Sequence, residues 1–135
     1  MSEEFIERRI VTGLIVSTEY IQEIEPIWSP KYLESETARL LSGWCLEYFR
    51  QYRKAPGRDI EGIYTDKIKM LGKTQAQDIE EVLAGLSDEF DRGQFNVEYL
   101  MDQTKTYFKE RSLILYTEDI QEALRGGDVT EAERL

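Results

Sequence analysis

Residues Asn96–Gly127, NVEYLMDQTKTYFKERSLILYTEDIQEALRGG, decide the fold. The stretch holds no proline, and its only glycines are the pair at its end. Asn96 supplies a side-chain oxygen that caps a helix start, and Gly126-Gly127 supply a stop. Between them runs an early apolar stripe of Leu100, Thr104, Tyr107 and Phe108. A later one consists of Leu113, Tyr116, Ile120, Ala123 and Leu124, both at helical spacing. A helix reaching Arg125 is on the order of 45 Å long, more than a small globule covers. Its outer apolar residues therefore want a partner, either a helix returning after Asp128 or another subunit. The expected self-association and partner contacts are Tyr107, Phe108, Leu113, Tyr116, Ile120 and Leu124.

Outward from that helix the same periodicity recurs, and no stretch alternates strictly with period two. Ile6, Ile10, Gly13 and Leu14 form the first stripe, with Glu7, Arg8 and Arg9 opposite. Ser17 or Thr18 caps a short second helix carrying Tyr20, Ile21 and Ile24, stopped at Pro26. Trp28 to Leu33 form a turn with aromatic anchors. Ser35 caps a third helix with Leu41, Trp44, Cys45, Tyr48, Phe49 and Tyr52 on its apolar face, broken by Ala55-Pro56-Gly57. Asp59 caps a fourth bearing Ile60, Ile63, Tyr64, Ile68 and Leu71. Thr74 and Gln77 have capping-box spacing for a fifth, with Ile79, Val82, Leu83, Leu86 and Phe90, closed by Gly93. After Gly126-Gly127, Asp128 can cap a helix through Val129, Ala132 and Leu135, which stops without a C-cap.

The fold class expected is all-α: a small globule of about five short helices, then a long helix and a truncated helical hairpin. The division follows at residues 1–95 for the globular subdomain and 96–135 for the long helix and the start of the hairpin. The unfinished last helix predicts a chain cut from a longer protein, the alternative being a helix that frays at a true C-terminus.

Composition excludes much. Basic and acidic residues number 17 and 27, so the formal balance is 17 − 27 = −10. The absence of histidine removes Ser-His-Asp and Cys-His catalysis, His-ligated zinc and imidazole switching. Cys45, the single cysteine, forms no disulfide framework and no Cys₄ metal site, and beside Trp44 it is expected to be a buried, inert thiol. The longest apolar stretch, Ile10 to Val16, falls far short of the ~20 residues of a membrane helix. The acidic start lacks the basic flank of a signal peptide, so a cytoplasmic protein with no membrane contact is expected.

Two local motifs dissolve on inspection. Gly72-Lys73-Thr74 resembles the tail of a phosphate-binding loop, but the required earlier glycine is Lys67 and no strand precedes it. Asp88 to Gly93 lacks calcium-loop ligands at Phe90 and Arg92, and Tyr99 stands where the bidentate glutamate belongs. No carboxylate pair stands out as catalytic. From Ala76 to Asp102 eight acids face Arg92 alone, 1 − 8 = −7, which opposes contact with nucleic-acid phosphates. The opposite case is Tyr48 to Arg58, which carries Arg50, Arg53, Lys54 and Arg58 and no acid. Its functional reading is a patch for nucleic acid or an acidic partner. Its structural reading is a core stripe with cations favoured by the helix C-terminal dipole, which predicts weak DNA contact or none.

The order of features resembles the N-terminal domain of DnaB-like replicative helicases. The segment Glu7-Arg8-Arg9-Ile10-Val11-Thr12-Gly13-Leu14-Ile15-Val16 is similar to that domain's first helix, with its glutamate ahead of an apolar-Gly-x-Leu run. Tyr32-Leu33 falls near its aromatic pair, Leu40-Leu41 matches an apolar pair on the following helix, and Pro56-Gly57-Arg58-Asp59-Ile60 is similar to its Pro-x-Asp element. Asn96 to Leu135 resembles its long helix, glycine turn and returning helix. The resemblance spans almost the whole chain as a pattern of helices and weak motifs. Thr37 where the family often has histidine, Thr12 for a common glycine, and a longer helix before Pro56 mark a divergent member, such as a phage-type one.

The resemblance implies a domain with no catalysis of its own. It would oligomerise, as a dimer of this segment and a hexamer of the full protein, and dock primase or a helicase loader. ATP and magnesium would belong to a motor domain after Leu135, and this segment would take no cofactor or metal. A different class of function stays open: a stand-alone acidic helical adaptor, such as a helicase loader or inhibitor that captures a basic partner, or the helicase-binding domain of a primase.

Overall fold

Six α-helices and three 3₁₀ turns make up the computed structural model, which describes residues 3–91 and 96–126; strands are absent among them. The helices are α1 (Glu3–Val16), α2 (Thr18–Ile24), α3 (Glu36–Tyr52), α4 (Asp59–Lys67), α5 (Lys73–Asp91) and α6 (Val97–Arg125). The fold is therefore all-α, with five helices ahead of one long one. The expected stop at Gly93 and the expected returning helix from Asp128 lie outside the described residues.

Three helix starts follow from polar side chains at the expected places. Ser17 Oγ accepts from Tyr20 N at 3.1 Å, Ser35 Oγ from Ala38 N at 3.2 Å, and Asn96 Oδ1 from Tyr99 N at 2.9 Å. Others differ. α3 ends at Arg53, which adopts the left-handed region (φ 62°), ahead of the Ala55-Pro56-Gly57 break. Asp59 does not cap α4; its carboxylate accepts from Tyr48 Oη at 2.6 Å instead. The reciprocal bond at the α5 start comes from Gln75, whose Oε1 accepts from Gly72 N at 3.0 Å, two residues earlier than the Thr74–Gln77 spacing implies.

The core lies where α1 is packed by α2, α3 and α6. Ile10, Leu14, Ile15, Tyr20, Ile21, Ile24, Leu41, Cys45, Leu46 and Leu100 are all essentially inaccessible. Gly13 makes this packing possible. A β-carbon there would stand 2.7 Å from the Tyr20 ring and 2.9 Å from Leu100 Cδ2, both fully buried. Tyr20 in turn donates its hydroxyl to Thr104 Oγ1 (2.6 Å), because Thr104 spends its own proton on Leu100 O (2.7 Å). One glycine thus sets the distance between α1, α2 and α6.

The first half of α6 is core. Leu100, Thr104, Tyr107, Phe108 and Arg111 are buried, with Tyr107 donating to the Glu7 carboxylate and the Phe108 ring 5.2 Å from that of Tyr32. Tyr107 and Phe108 are therefore internal packing residues, a correction to their expected place among partner contacts. The reason is that the globule uses them to seat the long helix.

Gly13→Ala should lower stability by about 1–2 kcal/mol, overpacking outweighing the gain in helix propensity. Gly43→Ala, where a β-carbon on α3 meets nothing within 4 Å, should instead be neutral or stabilising by up to about 1 kcal/mol. Urea midpoints of the two variants check the pair. Burial also pushes the Cys45 thiol and the Tyr20 phenol above their ordinary 9.0 and 10.0, for Tyr20 against a smaller lowering by its bond to Thr104. The fold keeps both neutral while the unfolded chain ionises them, so their contribution is complete below the unfolded values. It is lost as pH rises, and urea midpoints should fall between about pH 9 and 11. A midpoint constant across that range would contradict it.

Candidate docking surfaces

Two surfaces stand out, and each depends on how the helices are anchored. The anchor is the loop Tyr32–Ser35, which is bound from three sides. From α1, Glu7 accepts from Glu34 N and Ser35 N, both at 2.9 Å. From α3, Arg39 Nη1 donates to Leu33 O and Glu34 O at 2.8 Å each. From α6, Arg111 donates through Nε to Tyr32 O (3.2 Å) and through Nη1 to the Glu34 carboxylate (3.0 Å). Glu7, expected on the polar side of α1, is only 2 % exposed. Lys105 also ties α6 to α2 through Glu23 at 2.9 Å, a pairing that raises the lysine's pKa.

Beyond Arg111 the long helix changes character. At about 100° per residue, Leu113, Tyr116, Ile120 and Leu124 lie on roughly the opposite side from Leu100, Thr104, Tyr107 and Arg111. Exposure agrees: Leu113 is 61 %, Tyr116 44 % and Leu124 52 % accessible, and Ile120 is half-buried. This first surface is an apolar seam that faces away from the globule. The step responsible is visible in the sequence: five residues separate Phe108 from Leu113, where three or four would have kept one face.

The second surface is the turn after α3. Tyr52, which helical spacing places with the core, is 55 % exposed, its ring centroid 4.7 Å from that of Tyr48. Arg53, Lys54 and Arg58 are exposed around it. The Arg53 guanidinium sits 5.8 Å from the Phe49 ring centroid. Arg50, the fourth expected cation, is paired with Glu25 at 3.2 Å. The bond from Tyr48 to Asp59 raises the phenol's pKa, with smaller contributions in the same direction. The structure thus gathers three of the four expected basic residues and adds an aromatic ring.

Two clefts also lie among the described residues. One of about 250 Å³ lies between α1, α3 and α5, with Arg8, Thr37, Asp78 and Glu81 on its walls. The other is a shallow groove beside Lys31, Arg39, Arg111 and Leu115. Both arginines there already hold the Tyr32–Ser35 loop. Cys45 is fully buried. Among the described residues no group of three Asp, Glu or Cys side chains is placed to hold a metal ion, and no helix is long and apolar enough to cross a membrane. Comparison with family models, with curated proteins and with solved structures finds no match to this chain.

Proposed function

We propose that this chain is a non-catalytic oligomerisation and partner-docking domain, of the kind that forms the collar of a DnaB-like replicative helicase. The observation that carries the reading is the change of face along α6, which fixes the helix on one side and leaves an apolar seam on the other. Leu113, Tyr116, Ile120 and Ala123, with Leu124 beside it, have the alternating three- and four-residue spacing of a two-helix seam. The same helix of a second copy offers a matching surface, and an isologous pair closes without leaving a free seam.

Magnitudes set the expected strength. Covering a half-exposed Leu, Ile or Tyr contributes roughly 1 kcal/mol, so four from each copy contribute on the order of 8 kcal/mol. Association costs an estimated 4–15 kcal/mol in lost freedom, roughly the same size. The isolated chain should therefore associate weakly and in a concentration-dependent way, and a larger assembly would add to the seam. Primase or a loader would dock on the assembled collar, while ATP and magnesium would serve a separate motor domain.

Sedimentation equilibrium tests this. The chain should show a reversible monomer–dimer equilibrium, and Tyr116→Asp with Ile120→Asp should raise its dissociation constant at least about tenfold, because an unpaired carboxylate is costly in an apolar contact. Circular dichroism of the variant should be unchanged, since neither residue belongs to the core. A chain that stays monomeric at millimolar concentration overturns the reading.

A further inference from the structure

The turn after α3 remains outside the oligomerisation reading, and it is built as a presenting surface. It is held from behind: Gly57 N donates to Ile15 O at 2.7 Å, Ala55 N donates to Thr18 Oγ1 at 3.1 Å, and Pro56 is buried. Arg53 holds a left-handed backbone that glycine usually takes, so a charged side chain is displayed where a bare turn would suffice. With the backbone pinned, Arg53, Lys54 and Arg58 are exposed on the same turn as Tyr52, Arg53 with its guanidinium 5.8 Å from the Phe49 ring centroid. Among the described residues none forms an ion pair with these three cations. Of the acids beside them, Glu25 is paired with Arg50 and Asp59 is engaged by Tyr48, and Glu61 follows on the first turn of α4.

Part of the acidic charge behind the overall −10 lies away from this patch. The acidic helix α5 packs at the opposite end of α3, where Asp78 and Glu81 share a cleft with Thr37 and Ala38. Seventeen residues of α3 separate the two ends, roughly 24 Å along the axis. That is more than twice the Debye length of about 8–10 Å at physiological salt, so Asp78 and Glu81 are screened from the patch, while Glu80, on the face of α5 tied to α4, accepts from Tyr64 Oη at 2.7 Å.

From this juxtaposition we infer that Tyr52, Arg53, Lys54 and Arg58 form a weak, sequence-tolerant contact for single-stranded nucleic acid. Each cation would neutralise one phosphate, and the Tyr52 ring would stack on a base. An exposed ring favours this partner over an acidic peptide, whose carboxylates use the cations and leave the ring idle. The inference is independent of the helicase reading and uses none of the α6 seam.

Fluorescence anisotropy with a labelled oligothymidylate of about twelve nucleotides tests it, at salt from about 50 mM upward. Binding should be saturable, with a logarithmic salt slope near −2 for three phosphates at about −0.7 each. Lys54→Ala with Arg58→Ala should flatten that slope by about 1.4. Tyr52→Ala should weaken binding about tenfold and leave the slope unchanged, as loss of stacking alone requires. Arg53→Gly keeps the left-handed turn while removing the charge, so misfolding does not confuse the result. Sedimentation of the same samples should show self-association unaltered. Absence of saturable binding at about 50 mM salt overturns the inference, as does binding that survives removal of all three cations. Polyglutamate that binds as tightly as the oligonucleotide, with Tyr52→Ala silent, also overturns it and assigns the patch to an acidic protein.

Discussion

A buried carboxylate holds this fold together. Glu7 sits on the first helix, almost out of reach of solvent, and is surrounded by donors: the backbone N–H groups of Glu34 and Ser35 and the Tyr107 hydroxyl. Burying a carboxylate without partners would cost several kcal/mol, and with three donors in place the site instead becomes a directional joint. Its position explains its use. A helix that starts on serine is often closed by a Glu or Gln three residues on, which accepts from the backbone N–H of the cap. α3 starts at Ser35 and has Ala38 in that place, so Glu7 supplies the acceptor from another helix. The negative charge also lies at the α3 N-terminus, where the helix dipole favours it. One side chain thereby fixes the position of α3 against α1 and, through Tyr107, that of α6.

The remaining polar contacts tighten the same joint. Arg39 and Arg111 bind carbonyls or the carboxylate of residues 32–34, so the connection between the 3₁₀ turn Pro30–Tyr32 and α3 is held by three helices at once. Gly13 then lets α2 and the start of α6 close on the other side of α1. Contacts of this kind orient α6 along its first four turns and end at Arg111. The roughly 21 Å of helix from Ser112 to Arg125 continues as a rigid extension, because nothing between Arg111 and Arg125 breaks it. Its apolar side chains face outward as a consequence of where the inner half is anchored.

Much of the helical framework was legible because its signals are local. Ser17, Ser35 and Asn96 each hydrogen-bond a backbone group within three residues, so spacing alone identifies them. What escaped depends on partners distant in sequence. Glu7 reads as a solvated charge until Ser35 and Tyr107 are brought to it across 28 and 100 residues. Asp59 reads as a cap until Tyr48 claims its carboxylate, and Tyr107 and Phe108 read as arm contacts until the globule absorbs them. Tyr52 shares the apolar spacing of α3 yet lies outside, because α3 outruns the core at its last turn and α4 leaves from there. The change of face on α6 was available in the five-residue gap after Phe108, since a periodic pattern records phase as well as period.

The two surfaces share no residue, and this separation matters for what an assembly gains. A patch of three cations and one ring would contact only a few nucleotides and be weak alone, and its attraction would fade further at physiological salt. Pairing through the α6 seam, as proposed, would place two such patches on one particle. A strand bound at one copy would then meet the second at an effective concentration set by their spacing, so avidity would rise without any new contact. The gain requires that the patches be held at fixed separation. The Glu7 joint supplies this condition, because the seam and the patch both refer their positions to the same rigid core: α6 through Tyr107 and Arg111, and the turn after α3 through Ile15 and Thr18. Loosening that joint would leave both surfaces chemically intact and still remove their cooperation, which is how a carboxylate remote from either surface would govern what the proposed assembly holds.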